Sequence, residues 1–383
     1  MLHVTIWMNM PSFYQEDLFR ALVDSGKVEL KIIFARDLTE QRTVLGWHRD
    51  LKGYSSEFLD GWRSIPNALR LAWQQRDRLH IVNGLWAEPA FAAALIVLAL
   101  TRSSYLIYSE APDPFLARSR SKNTLRAAFG RLIARRASGA LPVSHLAADF
   151  FGALGMREEM MYSFGYFRAH SSPNGTAAFK KGINIEVVFI GQVIHRKGLD
   201  ILLEAMQPLF NEYPELALSV VGSGGNEAPL RKQVTDWGLE GRVFLEGVIP
   251  YDKIPARLAM ADLLVLPSRW DGWGLVVNEA FAVGVPVIVS DQCGAADLVK
   301  DNVNGYVFRS EDVLHLRARL RDFMSNADRR QFRSQSKAAG ETISTNVVAP
   351  YLIECLQHLT GITKKRPTPP WQSSIIMQDQ TQD

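Results

Sequence analysis

Residues 262–289 constrain the fold of this chain more than any other stretch. Asp262 to Leu266 is an apolar run closed by Pro267, which predicts a buried parallel strand. The turn Gly272-Trp273-Gly274 follows. Leu275 to Val283 then reads as a helix stopped by Gly284, and Val285 to Val289 as the next strand. Strand, glycine turn, helix and strand in that order set ligands at the carboxyl edge of a parallel sheet. The expected fold class is therefore α/β.

The chemistry of the stretch is anion binding beside two carboxylates. Backbone N–H groups at Gly274 and Leu275 open the helix, where the dipole favours a phosphate. A glycine there, lacking Cβ, lets an oxygen approach closely. Asp271 stands at the turn and Glu279 about one helical turn inside. Carboxylates repel phosphate but accept hydrogen bonds from sugar hydroxyls. Phosphate held between two such carboxylates describes a nucleotide sugar. An ordinary buried βαβ unit with an acidic turn is the plainer reading. It does not account for the glycines, both acids and Gly284-Val285-Pro286 arriving together.

Composition sets the outer bounds. A chain of 383 residues is long enough for two domains, and 47% hydrophobic with 22% charged residues matches a soluble globular protein. Cys293 and Cys355 sit in apolar contexts and suggest neither a disulfide framework nor a metal site, so a reducing cytosol is expected. Met1 to Asn9 lacks a basic leader and runs straight into a strand pattern, which predicts no signal peptide. Pro89 to Leu100 is apolar but too short to span a bilayer, and a core helix is expected.

Arg118 to Arg136 is the charge anomaly. Seven Lys and Arg residues occur there without an acid, and Leu125, Phe129, Leu132 and Ile133 fall between them at helical spacing. A basic amphipathic helix fits an anionic membrane surface. The plainer alternative is a solvated basic face over a core stripe. Nucleic acid ranks third, because no nucleic-acid motif accompanies the charge.

The acid pair resembles a known family. Asp271 and Glu279 are spaced as in the acid-x7-Glu motif of retaining GT-B glycosyltransferases of family four, also called group 1. Asp-Gly-Trp-Gly-Leu and Asn-Glu-Ala-Phe-Ala-Val-Gly-Val-Pro-Val-Ile are similar to its signature. The usual first acid is Glu, and Asp271 is one methylene shorter. Ile190 to Gly198 resembles the family's Gly-Arg-x4-Lys-Gly motif: Gly191 and Lys197 match, and Gln192 replaces the Arg, with Arg196 a neighbouring cation. Lys197 at a helix start can meet a diphosphate as a point charge, although a surface lysine after a turn is the alternative.

Further implications rest on the same resemblance. The Val-Gly-x-Gly around Gly222 and Gly224 is expected beside the nucleotide, and the loop Val248-Ile249-Pro250 beside the base. Taken alone, those glycines fail a dinucleotide fingerprint, because its last glycine falls at Glu227. Glu279 is expected to hold ribose hydroxyls and Asp271 the transferred sugar, with Gly272, Trp273, Gly274 and Leu275 facing the donor. Asp297 sits in a closing family segment, or is only a helix N-terminal acid.

The first half carries fewer motifs. Asn83 stands where relatives often have a His, and either meets an acceptor or caps a helix beginning near Ala87. Glu110 either touches an acceptor hydroxyl or is an exposed loop acid.

The expected architecture is two Rossmann-like domains facing across a cleft. Residues 1–170 form an acceptor domain, 171–182 a linker and 183–345 a donor domain. Residues 346–362 form a helix crossing back to the first domain, and 363–383 a disordered tail. Closure about the linker would exclude water.

The expected activity is retaining, metal-independent glycosyl transfer with no cofactor. A nucleotide diphosphate sugar is the donor, and a saccharide or lipid-linked saccharide the acceptor. The setting would be the cytoplasm, with peripheral membrane contact through Arg118–Arg136. A nucleotide-sugar epimerase of the same fold, or an inactive sugar-nucleotide-binding scaffold, are the alternatives.

Overall fold

The computed structural model describes residues 1–39, 49, 51–59, 61–85, 88–116, 119–169, 185–326 and 329–372. The expected linker, Arg118 and the tail beyond residue 372 lie outside them. The chain divides into two compact units: Met1–Ala169 with Ile343–Asp383, and His170–Thr342.

Each unit holds a six-stranded parallel sheet. In the first the order is β3-β2-β1-β4-β5-β6, with β1 at Leu2–Met8, β2 at Val28–Phe34, β3 at Ser55–Phe58, β4 at Leu79–Asn83, β5 at Tyr105–Ser109 and β6 at Gly139–Pro142. In the second it is β12-β11-β10-β7-β8-β9, with β7 at Ile185–Ile190, β8 at Leu216–Val221, β9 at Val243–Gly247, β10 at Leu263–Leu266, β11 at Val287–Ser290 and β12 at Gly305–Phe308. In both units the chain builds outward from a central strand on one side, then crosses to the other. The switch points lie between β1 and β4 and between β7 and β10, where doubly wound sheets place ligands.

The inner strands read from sequence as near-continuous apolar runs because helices cover both faces. The edge strands β3 and β12 escaped that reading. Both are four residues long, and in Ser-Ser-Glu-Phe of β3 only Phe58 is apolar.

The first unit buries a polar pair in its core. The Trp7 Nε1–H donates to His80 Nδ1 at 3.0 Å, and His80 Nε2 lies 3.0 Å from the Gln75 carbonyl. That arrangement holds the imidazole neutral. Burial pushes its pKa from 6.5 to about 4.

Two helical readings need correction, and the C-terminal helix falls as expected with the first unit. Pro89–Thr101 is a helix and buries Ala90, Phe91, Ala94, Leu95 and Leu98, but Ile96 and Leu100 face solvent. The apolar positions read between Arg118 and Arg136 also split, so the alternative of a core stripe there holds only in part. Ile133 is buried with Gly130 and Ala134, while Leu125 and Leu132 point outward. The C-terminal helix spans Thr345–Leu359, packs on the helix Phe13–Asp24 and sets the Tyr351 hydroxyl on the Ser163 carbonyl at 3.0 Å. It therefore belongs to the first unit, and Pro350 falls inside it.

The expected disorder of 363–383 fails over its first part. Trp371 is buried, 4.8 Å from the Phe167 ring and 5.4 Å from Tyr351. Arg366 donates to the Glu159 carbonyl at 2.7 Å and covers the Tyr162 ring. One aromatic and one guanidinium anchor a segment whose average composition is polar.

Candidate functional site

β7 and β10 leave the second sheet side by side, so their exit loops meet at its switch point. After β7 comes the short 3-10 turn His195–Lys197, then Gly198 and the helix Leu199–Met206. After β10 come Pro267 to Leu275 and the helix Val276–Ala282. Gly198 lets the loops touch: its φ is +68°, and a Cβ there would fall 2.0 Å from the Pro267 carbonyl oxygen.

Side chains then tie the loops together. The Lys197 ammonium pairs with the Asp271 carboxylate, each side chain largely shielded from water. Arg196 donates to the Trp270 carbonyl at 2.8 Å. Arg269 reaches back to the His195 carbonyl at 2.8 Å and to both Asp200 oxygens at 2.9 and 2.7 Å. Arg196 is thus engaged with backbone rather than replacing the cation missing at Gln192, whose side chain is exposed.

The turn 271–274 is fixed from behind by the segment after β11. Asp271 N–H donates to the Gln292 carbonyl at 2.9 Å, and Gly294 N–H to the Asp271 carbonyl at 3.0 Å. The Trp273 carbonyl accepts from the Cys293 thiol at 2.9 Å and from Ala295 N–H at 2.7 Å. Burial, and then the charge of Asp271, push the Cys293 thiol well up, so it serves as a neutral donor. The Trp273 indole is buried and donates to Asn278 Oδ1 at 2.8 Å. That side chain braces the turn instead of facing outward.

Gly274 has a packing reason beside the one read from sequence. At φ +93°, a Cβ would lie 2.6 Å from Cys293 Sγ and 2.8 Å from Leu266 Cδ2. Core packing demands the glycine. The Gly274 and Leu275 amides carry no acceptor among the described residues, and so stay available to an anion.

Glu279 accepts a hydrogen bond from the Tyr251 hydroxyl, which follows the Val248-Ile249-Pro250 loop. Val248 is exposed and Ile249 half-buried. Gly222 and Gly224 pack on the β7 loop, where a Cβ would meet the Gly191 oxygen at 1.9 Å and the Val193 oxygen at 2.4 Å. Lys197 and Tyr251 are thus held on the turns after β7 and β9, Asp271 on the turn after β10 and Glu279 on the helix that follows it. Sequence reasoning missed Tyr251, Arg269 and Cys293. An aromatic hydroxyl just past a loop expected at the base was the available signal for Tyr251.

The first unit has its own cavity, about 310 Å³, at its switch point. Asn9, Asn83, Ser109, Glu110, Arg126 and Tyr166 line its polar side. The Asn9 Oδ1 atom is buried without a partner among the described residues. Asn83 does not cap the next helix, which starts at Pro89 with Glu88 before it. Glu110 lines the cavity. Burial, then the Glu110 charge, raise the Tyr166 hydroxyl well above its usual range, so it stays a neutral donor.

Comparisons with known proteins bear on the family and the fold. Residues 177–339 match the family model for glycosyl transferases group 1. A GDP-mannose-dependent alpha-(1-6)-phosphatidylinositol monomannoside mannosyltransferase of Mycolicibacterium smegmatis is 33% identical over 150 residues, 37% of this chain and 39% of that protein. A 2-deoxystreptamine glucosyltransferase of Streptomyces kanamyceticus is 26% identical over 235 residues, 58% of this chain and 61% of that protein. The chain thus spans less than two thirds of the length of these relatives. Among solved structures, Anabaena HepE in complex with UDP superposes with a TM-score of 0.69 at 19% identity, covering 93% of this chain and 100% of that one. The pneumococcal O-GlcNAc transferase GtfA, with UDP and GlcNAc, gives 0.67 at 11% identity, covering 94% and 99%. By these findings residues 177–339 are similar to the glycosyl transferases of group 1, and the chain has the GT-B fold of two Rossmann-like units.

Proposed function

We propose that the protein transfers a glycosyl group from a nucleotide diphosphate sugar to a hydroxyl of a saccharide or lipid-linked saccharide. The anomeric configuration is retained and neither a metal nor a cofactor takes part. The observation that carries this reading is the grouping of Lys197 and Asp271 with the acceptor-free amides of Gly274 and Leu275 at one switch point.

As the bond from anomeric carbon to phosphate oxygen breaks, negative charge grows on the diphosphate. Lys197 and the two amides meet that charge. Losing one such donor costs about 3 kcal/mol, or about 10²-fold in rate. A bound diphosphate competes with Asp271 for Lys197 and releases the carboxylate to accept from the sugar hydroxyls. Glu279, positioned by Tyr251, holds the ribose. The acceptor hydroxyl attacks from the face the phosphate leaves and passes its proton to the departing phosphate oxygen. The acceptor binds in the polar cavity at Asn83 and Glu110.

The proteins named above differ in base, GDP in the name of one relative and UDP in both solved structures, so the test begins with a donor panel. Thermal shift with UDP-, GDP- and ADP-sugars should show one donor raising the Tm. A ligand at 100 times its Kd adds about 2.7 kcal/mol. Lys197→Ala and Glu279→Ala should each abolish that shift. Donor binding that ignores both substitutions would overturn the site assignment. Nucleoside diphosphate released only with an acceptor marks a transferase. An epimerase releases none while changing the sugar, and a scaffold binds without turnover.

A further inference from the structure

The first unit presents an apolar face that its core does not use. The helix Ser64–Gln74 buries Ala68, Leu71 and Ala72. Ile65, Leu69 and Trp73, spaced four apart on another side of the same helix, are exposed, and Trp62 just before it is 83% exposed. Trp73 is 58% exposed. The helix Pro89–Thr101 packs against this one, carries no charged residue, and exposes Ile96 and Leu100, the latter at 78%. Next to it, Arg120–Arg136 exposes Leu125 and Leu132. Aliphatic and indole side chains in such number outside a core mark an interaction surface.

Charge identifies the partner. None of these three helices contains Asp or Glu. Arg63 lies over the Trp62 ring at 4.6 Å and Arg76 over the Trp73 ring at 5.3 Å. Arg70 reaches Glu57 at 3.6 Å, but Lys31 already holds that carboxylate at 3.0 Å. Arg120, Lys122, Arg131 and Arg135 are exposed on the third helix. Indoles with guanidiniums beside them suit the boundary between headgroups and acyl chains, where the ring is half immersed and the cation meets phosphate. A second copy of this chain would bring like charges together across a two-fold axis. Nucleic acid would use the arginines and indoles but gain little from Leu100, Leu125 and Leu132.

We infer that the first unit docks on an anionic lipid surface through this three-helix face, with Trp62 and Trp73 entering the interface. The inference widens the basic helix read from sequence into a surface with an apolar floor. It does not depend on which donor the second unit binds.

The test is flotation of the full chain with phosphatidylcholine vesicles, with and without phosphatidylglycerol. The chain should float only with phosphatidylglycerol present, with a blue shift of tryptophan emission, and salt should weaken the binding. Trp62→Ser with Trp73→Ser should weaken it by about tenfold or more, equivalent to about 1.4 kcal/mol. Trp237→Ser, at a 38% exposed indole of the second unit, should leave it unchanged. All of these positions are solvent-facing, so an unaltered Tm certifies folding. No flotation with phosphatidylglycerol overturns the inference, as does flotation indifferent to the paired substitution. Tighter binding to single-stranded RNA than to vesicles, or a dimer abolished by the same substitutions without vesicle binding, would assign the face to those partners instead.

Discussion

The Lys197 ammonium pairs with the Asp271 carboxylate across 74 positions of sequence, joining the loop after β7 to the turn after β10. The pair sits at the switch point of the second sheet and closes the gap where a donor diphosphate is proposed to enter.

Lys197→Ala leaves the Asp271 carboxylate shielded and unpaired. Breaking a fully buried pair costs about 3–5 kcal/mol. This pair keeps some solvent, so a loss nearer 2 kcal/mol is expected in a urea melt. Adding Asp271→Asn should restore much of the stability but none of the turnover. Recovery of both together would show that the pair is only structural.

Tyr251→Phe keeps the ring and removes the hydrogen bond to Glu279. A bond to a charged group is worth about 1.5–3 kcal/mol. The donor KM should rise about tenfold while kcat changes little, since the residue positions the carboxylate proposed to hold the ribose. An equal fall in kcat and kcat/KM would instead place Tyr251 at the reacting atoms.

His80 makes the first unit acid-sensitive. Its pKa is pushed from 6.5 to about 4 by burial, so the unfolded chain takes up the proton first as pH falls. The stability from keeping it neutral is complete above about pH 6.5 and is lost as pH falls toward 4, in total about 3 kcal/mol. Urea midpoints measured across that window should fall in the parent and fall less in His80→Gln.

Trp371→Ala should destabilise the first unit by about 3 kcal/mol, the usual cost of removing a buried indole. A chain ending at residue 362 should lose at least as much. Proteolysis of the parent should spare 364–371 while that indole is seated between Phe167 and Tyr351.

Some of these features were readable in the sequence for local reasons. Strands β7, β8, β10 and β11 announce themselves because both faces are covered and nearly every residue is apolar. The helix Leu199–Met206 was legible from the Gly198 boundary and its apolar run. The anchoring of Trp371 was hidden because one indole does the work in a polar stretch. The outward turn of Leu100, Leu125 and Leu132 was hidden too, because helical spacing does not say which neighbour covers a face.

The sequence by itself determined the α/β alternation, the two units and the loops that hold the site. Those follow from the local period of burial and from glycines at turns. Only the tertiary structure decided that Lys197 meets Asp271, that Tyr251 meets Glu279 and that Trp273 turns inward. Strand order is set by packing the whole sheet, and it brings residues dozens of positions apart to one edge. No local pattern encodes that neighbour relation.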